Sequence, residues 1–424
     1  MGFSAADVKM RGMAHVKFMR LALRLARRGY GMTSPNPMVG AVLVKGNRVI
    51  GRGWHHRAGL PHAEIEAIRA AGKRGNNPKG ATLYVTLEPC STHGRTPPCC
   101  ETIIAAGIKR VFIGTIDPNP NHAGKGFKIL KRAGVEVVRF DNEGRNPVRD
   151  VSPSDKKRRA RSDAPYLVAE ECERLNEAFN HWIVERTPFV IVKAGMTLDG
   201  KIATATGESK WITSIESREF AMHLRRGVDA ILVGVNTVLA DDPSLTVRGG
   251  TGNAEHRTSN AGRRRLRRVI LDSMARTPLD SKMVSDEFAE LTTIVVSQRA
   301  PKKRVMGLAK RVNVIVAPRI GGRRTRIDAP YQLDLHWLMK KLGAENVTSL
   351  LVEGGGEVHE SFLLGGLAQR VAFFYAPKVL GGRDSRKAVA GEGARGLDEV
   401  IDLKDMEWRK FGPDLCLTAR LENP

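Results

Sequence analysis

Cysteine is scarce in this chain: five in 424 residues, three of them within one short stretch. A set so sparse and uneven does not form the dense disulfide framework of a small secreted domain. Aromatic residues are few as well, at 5%, which disfavours a base-stacking platform for single-stranded nucleic acid. No apolar run approaches the ~20 residues that a membrane-spanning helix needs. The opening residues, "MGFSAADVKMRGMAHVKFMR", lack an apolar core ahead of a small-residue cleavage site. Ala6 also stands where a myristoylation signal wants Ser or Thr. The reducing cytosol is the expected home, with no membrane partner. Acidic residues are outnumbered, 45 against 69 Lys and Arg, giving a formal charge of +24. Two runs, "DKKRRARSD" (155–163) and "GRRRLRR" (262–268), concentrate part of the excess. Both read as solvated charge in loops, with a nucleic-acid patch as the alternative.

What is present is enough apolar residue, 42%, for ordinary cores, in a length that suggests two or three domains. The 3-to-4 apolar spacing over 14–29 predicts a helix, and "VGAVLVKGNRVIGRGWH" (39–55) predicts a hairpin. "HAEIEAIRAAG" (62–72), "CETIIAAG" (100–107) and "GFKILKRAG" (126–134) read as helices. "ATLYVTLE" (81–88), "RVFIGTI" (110–116) and "VEVVRF" (135–140) read as strands. This alternation implies a layered α/β domain with a mixed sheet. From 141 to 163 the apolar period disappears, as in a linker, and "LVAEECERLNEAFNHWIVER" then reads as one helix. A second α/β pattern runs from "PFVIVKAG" (188–195) through "AILVGV", "RVILDS", "TTIVVS", "VNVIVAP" and "SLLVEGGG" to "RVAFFYAP". Residues 249–268 look like an insertion in it. The expected organisation is therefore 1–143, a basic linker and connecting helix over 144–186, and 187–424.

The clustered cysteines lie in "TLEPCSTHGRTPPCC" (86–100), after a strand and before a helix. His62 and Glu64 open the helix at 62–72, near the positive end of its dipole. Two helix starts and one strand end can thus deliver an imidazole and two thiolates, His62, Cys90 and Cys99, to a common point. Three such ligands with an open fourth position describe a catalytic zinc. H-x-E with a Pro-Cys and a second Cys is the pattern of zinc deaminases of nucleobases, although eight residues separate the cysteines here. Zinc brings the pKa of water to about 7, and a carboxylate off the metal, Glu64, is left to shuttle the proton. A structural His and a disulfide are the competing readings. Cys100 and His93 remain alternative ligands.

In the second half, "SLLVEGGGEVHESFLL" (349–364) reads as strand, glycine turn and helix, where backbone amides can approach a phosphate. "KAGMTLDGKIATATGESKWITS" (193–214) and "NTVLADDPSLTVR" (236–248), with Arg225, are candidate walls of an anion-binding cleft. Ordinary turns explain each stretch equally well taken singly.

Taken together, the motifs resemble the bifunctional riboflavin-biosynthesis deaminase/reductase family of bacteria along nearly the whole chain. "SPNPMVG", "HRAGLPHAE", "VTLEPCSTHGRTPPCC", "DPNP", "TLDGK", "ATGESKWITS", "VLADDPSLTVR", "VEGGGEVHESFL" and "YAPKVLGG" fall in that family's order, its eight-residue cysteine gap included. The resemblance implies an N-terminal cytidine-deaminase-like α/β/α layer domain and a C-terminal dihydrofolate-reductase-like α/β domain. It implies Zn2+ on His62, Cys90 and Cys99, Glu64 as catalytic proton carrier, and Asn36 and His55 lining the deaminase pocket. It implies NADPH at Gly195, Trp211, Thr237, Asp241, Ser273, Gly354, Gly355 and Gly356. The substrate would meet Ser209, Arg225, Leu245, Arg248 and Glu353, the arginines gripping its phosphate. The expected partner is a small pyrimidine ribotide, with nucleic acid disfavoured and a homo-oligomer expected. An RNA-editing deaminase would explain the charge but leaves "VEGGGEVHESFL" without a purpose.

Overall fold

The computed structural model describes residues 5–92, 97–120, 122–140, 165–247, 266–319 and 333–422. The expected linker up to residue 164, the run 155–163, the insertion as far as 265, Arg248 and His93 lie outside the described residues. The chain divides into two compact units, Met1–Glu185 and Arg186–Pro424.

The first unit runs α1 (Ala5–Ala26), β1 (Gly40–Lys45), β2 (Arg48–Trp54), α2 (Ala63–Lys73), β3 (Thr82–Leu87), α3 (Cys99–Ala105), β4 (Arg110–Thr115), α4 (Lys125–Arg132), β5 (Glu136–Arg139), α5 (Pro165–Leu175) and α6 (Glu177–Glu185). The sheet order is β2-β1-β3-β4-β5. β1 is antiparallel to β2 and β3, whereas β3, β4 and β5 are parallel, so the sheet is mixed as the pattern implied. Alternation along β3 sends Leu83 and Val85 to one face, with α2, α3 and α4, and Tyr84 to the other, with α1 and α5. The result is an α/β/α sandwich in which each fully buried Leu or Ile contributes about 1.5–3 kcal/mol.

Helix α2 lies unusually close to β2. A Cβ on Gly51 would stand 2.1 Å from Ala67 O, and one on Gly53 2.3 Å from Ala63 O. Only glycine permits that approach, which sets the depth of the first turn of α2, where Glu64 sits.

The segment read as one helix over 167–186 is interrupted at Asn176. The cause is the Asn176 amide, buried in the first unit. Its Oδ1 accepts the Met38 N–H at 2.8 Å and its Nδ2 donates to Met38 O at 2.9 Å. Val168 and Cys172 of α5 are wholly buried in the core against α1, so this helical pair belongs to the first unit.

The second unit contains β6 (Phe189–Thr197), β7 (Lys201–Ala203), α7 (Ile215–Gly227), β8 (Ala230–Gly234), α8 (Val235–Asp241), β9 (Arg267–Leu271), α9 (Lys282–Ser285), β10 (Thr292–Val296), α10 (Lys302–Ala309), β11 (Asn313–Val316), α11 (Leu335–Ala344), β12 (Ser349–Val352), α12 (Gly356–Leu363), β13 (Arg370–Ala376), β14 (Arg386–Lys387), β15 (Asp402–Phe411) and β16 (Asp414–Glu422). The main sheet has nine strands in the order β11-β10-β9-β8-β12-β6-β13-β16-β15. The strands from β11 to β13 are parallel. These correspond to the runs identified in the sequence. The closing hairpin β15–β16 is antiparallel, and β14 pairs with β7 in a separate ribbon. Parallel strands place their carboxyl ends together, and ligands of such sheets bind there.

The run 262–268 ends inside the sheet. Arg267 pairs with Glu345. Arg268 is 1% exposed and forks onto Asp286 at 2.6 and 2.7 Å, with further bonds to Thr292 Oγ1, Ser244 O and Met283 O. Arg268 is an internal fastener rather than a solvated charge, because a buried guanidinium persists only when its donors are matched, whereas Arg267 is only partly buried.

Candidate active sites

His62 caps α2 in extended conformation, Cys99 opens α3 behind Pro98, and Cys90 lies three residues beyond β3. His62 Nδ1 lies 3.3 Å from Cys99 Sγ and 3.5 Å from Cys90 Sγ, and the three ligand atoms all fall within 4.8 Å of one another. Hydrogen bonds from Cys99 and from His62 hold the Cys90 thiol down at about 4, and the same contact with Cys90, together with burial, pushes Cys99 up. Cys100 turns the other way, its Sγ 3.5 Å from Pro89 O, and burial pushes it up to about 12. Adjacent thiols at a helix start point apart, and only Cys99 reaches the cluster.

Glu64 is 3% exposed, and its Oε2 has no hydrogen-bond partner among the described residues. Burial, helped by Cys90, lifts its carboxyl to about 7. His55 stands edge-on to His62, ring centroids 5.2 Å apart. Its Nδ1–H donates to Pro61 O at 3.2 Å, which leaves Nε2 to accept from Asn36 Nδ2 at 3.1 Å. Burial holds this imidazole at about 4, neutral at physiological pH. A soft donor set of one imidazole and two thiols beside an orphaned buried carboxylate oxygen fits a catalytic zinc.

The sequence reading missed Glu88. Its buried carboxylate accepts main-chain N–H groups from Asp117, Gly124, Gly126 and Phe127 at 2.9–3.4 Å. It stands at the end of β3, directly before Pro89 and Cys90, and so ties the ligand-bearing turn to the segment that leads into α4. An acidic residue directly after the uncharged, β-rich run "TLYVTL" was the available signal.

In the second unit a cavity of about 1050 Å³ opens at the carboxyl ends of β6, β8 and β12. Gly195, Thr237, Asp241, Ser209, Glu353 and Gly354–Gly356 all line it, so eight expected residues converge. Ser209 Oγ donates to Asp241 Oδ1 at 3.3 Å. A Cβ on Gly354 would meet Val358 Cβ at 2.7 Å, and one on Gly356 would meet Lys387 O at 2.4 Å, whereas Gly355 has nothing within 4 Å. Gly355 thus leaves open space beside the first turn of α12, whose opening N–H groups have no partner within the helix.

Other expected residues lie elsewhere. Arg225 gives its fork to Glu353, at 2.8 Å for both bonds, with Lys193 Nζ 3.6 Å from the same carboxylate. Burial alone would raise the Glu353 carboxyl, but the two cations hold it at about 2. Leu245 adopts a left-handed φ of 48° and buries its side chain in the core, so that only its main chain is left to meet a ligand. Trp211 is 67% exposed under the Arg218 guanidinium. Ser273 follows β9 and its main-chain O accepts from Ser297.

A family model described as "RibD C-terminal domain" matches residues 188–417, and one described as "Cytidine and deoxycytidylate deaminase zinc-binding region" matches residues 13–115. The riboflavin biosynthesis protein RibD of Actinobacillus pleuropneumoniae is 38% identical over 100% of both chains. That of Escherichia coli strain K12 is 37% identical over 94% of this chain and 97% of its own length. Among solved structures, Acinetobacter baumannii RibD, form 1, gives a TM-score of 0.76 at 30% identity, covering 97% of this chain and 99% of that one. A Thermotoga maritima diaminohydroxyphosphoribosylaminopyrimidine deaminase/5-amino-6-(5-phosphoribosylamino)uracil reductase gives 0.73 at 31% identity, covering 97% of this chain and 100% of that one.

Proposed function

The chain belongs to the RibD family of bifunctional riboflavin-biosynthesis enzymes, and from that premise we propose how its own residues divide the work. It is a zinc-dependent deaminase joined to an NADPH-dependent reductase. It deaminates 2,5-diamino-6-(5-phosphoribosylamino)pyrimidin-4-one and then reduces the ribosyl chain to give 5-amino-6-(5-phosphoribitylamino)uracil. The observation that carries the first activity is the convergence of His62, Cys90 and Cys99 beside the buried Oε2 of Glu64.

In this reading His62, Cys90 and Cys99 hold the zinc, which when bound supplies the Lewis acidity that makes water a nucleophile near neutral pH. Glu64 takes a proton at Oε2 and delivers it to the departing ammonia. A carboxyl lifted to about 7 is suited to both tasks. The Pro61 carbonyl fixes the His55 tautomer, His55 holds the Asn36 amide, and Asn36 Oδ1 is left to accept from an amino group of the pyrimidine.

In the second unit Gly195, Thr237, Asp241 and the glycines leading into α12 line one cavity and would hold NADPH, which when bound would supply the hydride. Glu353, kept ionised by Arg225 and Lys193, offers the ribotide hydroxyls a fixed acceptor. A cytoplasmic home fits five cysteines that are all thiols. Homo-oligomeric assembly fits the exposed Trp408 and Leu415 of the closing hairpin.

The deciding experiment supplies the diamino ribotide with and without NADPH and follows ammonia and cofactor oxidation. Ammonia should appear in both arms and oxidation only when NADPH is present. Absence of ammonia would sink the reading.

A further inference from the structure

The reductase cavity has a wall that these roles leave unused. Ser385, Arg386, Lys387, Ala390 and Gly391 line it on the strap that carries β14. The strap is fixed at four points. Arg386 pairs with Ala203 across β14 and β7, and the Ala388 N–H donates to Gly200 O at 2.9 Å. The Ala390 N–H donates to Gly356 O at 3.2 Å, and His359 Nδ1 donates to Ala388 O at 2.7 Å.

Such anchoring fixes the base of the Arg386 side chain. Its guanidinium rests beside Gly207, where a Cβ would stand 3.3 Å from Nη2. Among the described residues it makes no ion pair and no side-chain hydrogen bond. The cavity's carboxylates do not answer it: Glu353 is held by Arg225 and Lys193, Asp241 accepts from Ser209, and Glu357 sits on the first turn of α12. Facing the same space are the first turn of α12 and His359, which is 2% exposed with Nε2 lacking a partner among the described residues. A guanidinium fork and a helix N-terminus lining one cavity are matched by a phosphate ester, and the lone pair that His359 Nε2 keeps while Nδ1–H donates to Ala388 O is matched by a hydroxyl of the same ligand.

We propose that Arg386 is the cationic half of a phosphate-binding site whose other half is the N-terminus of α12, with His359 positioning the strap between them. The phosphate belongs to the nicotinamide cofactor or to the ribotide. This rests on the reading of the second unit as an NADPH-dependent reductase.

The test uses the full-length zinc-loaded enzyme and its Arg386→Ala and Arg386→Lys variants. NADPH binding is measured by fluorescence over a salt series, KM is measured for each substrate, and ammonia release reports an intact first unit. Arg386→Ala should weaken one ligand by about ten- to a hundredfold and flatten its salt dependence, with part of the loss recovered by Lys. Weakened NADPH binding identifies the cofactor as the source of the phosphate, and a raised ribotide KM alone identifies the ribotide. Unchanged constants for both ligands, or a fall in kcat alone, would overturn the proposal while wild-type turnover leaves the reductase reading standing. A wild-type protein that never oxidises NADPH overturns that reading instead.

Discussion

Arg225 and Glu353 meet through two parallel hydrogen bonds of 2.8 Å, and Lys193 approaches the same carboxylate. Removing Arg225 leaves buried Glu353 with Lys193 alone, so the cost falls below the about 3–5 kcal/mol of a fully uncompensated buried charge. Arg225→Met should lower the urea midpoint of the second unit and abolish NADPH oxidation while ammonia release continues. An unshifted midpoint would show that the pair is not a fastener.

Glu64→Gln keeps the volume at 3% exposure and removes the proton carrier. Zinc content should stay at wild type while ammonia release falls by about 10²–10⁴-fold. Normal turnover would remove Glu64 from its role.

The two neighbouring thiols predict opposite outcomes. Cys90→Ser should lower zinc content, whereas Cys100→Ser, altering a thiol that faces Pro89 O, should leave it unchanged. Elemental analysis decides. Chelation should silence ammonia release and spare reduction of the already deaminated ribotide, because the second unit shares none of the ligands.

Burial holds the His359 imidazole at about 4, against 6.5 in an unfolded chain. Below pH 6.5 the unfolded chain therefore takes up a proton that the folded chain refuses. Stability should decline as pH falls from 6.5 to 4 and level off beneath, by up to about 3 kcal/mol. Urea midpoints of His359→Gln should vary less with pH over that window. An identical slope in the variant would assign the dependence to other groups.

The chemistry of this chain was more legible than its fastenings. His62, Glu64, Cys90 and Cys99 could be read because helix starts and strand ends announce themselves in Pro and Gly, and because metal ligands come in few types. Asn176 could not, since its amide pairs with Met38, 138 residues away, and nothing local records that. Arg268 read as one more exposed cation because its partner Asp286 lies across a connection. β15, "DLKDMEWRKF", lacks an alternating apolar face because nearly every side chain on it is exposed. Local pattern thus gave the elements and the ligands, whereas long-range polar pairing was visible only once the chain was folded.

The Asn176 amide has a practical consequence for dissection. A fragment ending after β5 would strip α5 from α1, expose the faces that bury Val168 and Cys172, and leave the Met38 main chain unmatched two residues from Asn36. The minimal autonomous deaminase is therefore the piece reaching Glu185, and shorter expression boundaries should yield insoluble product.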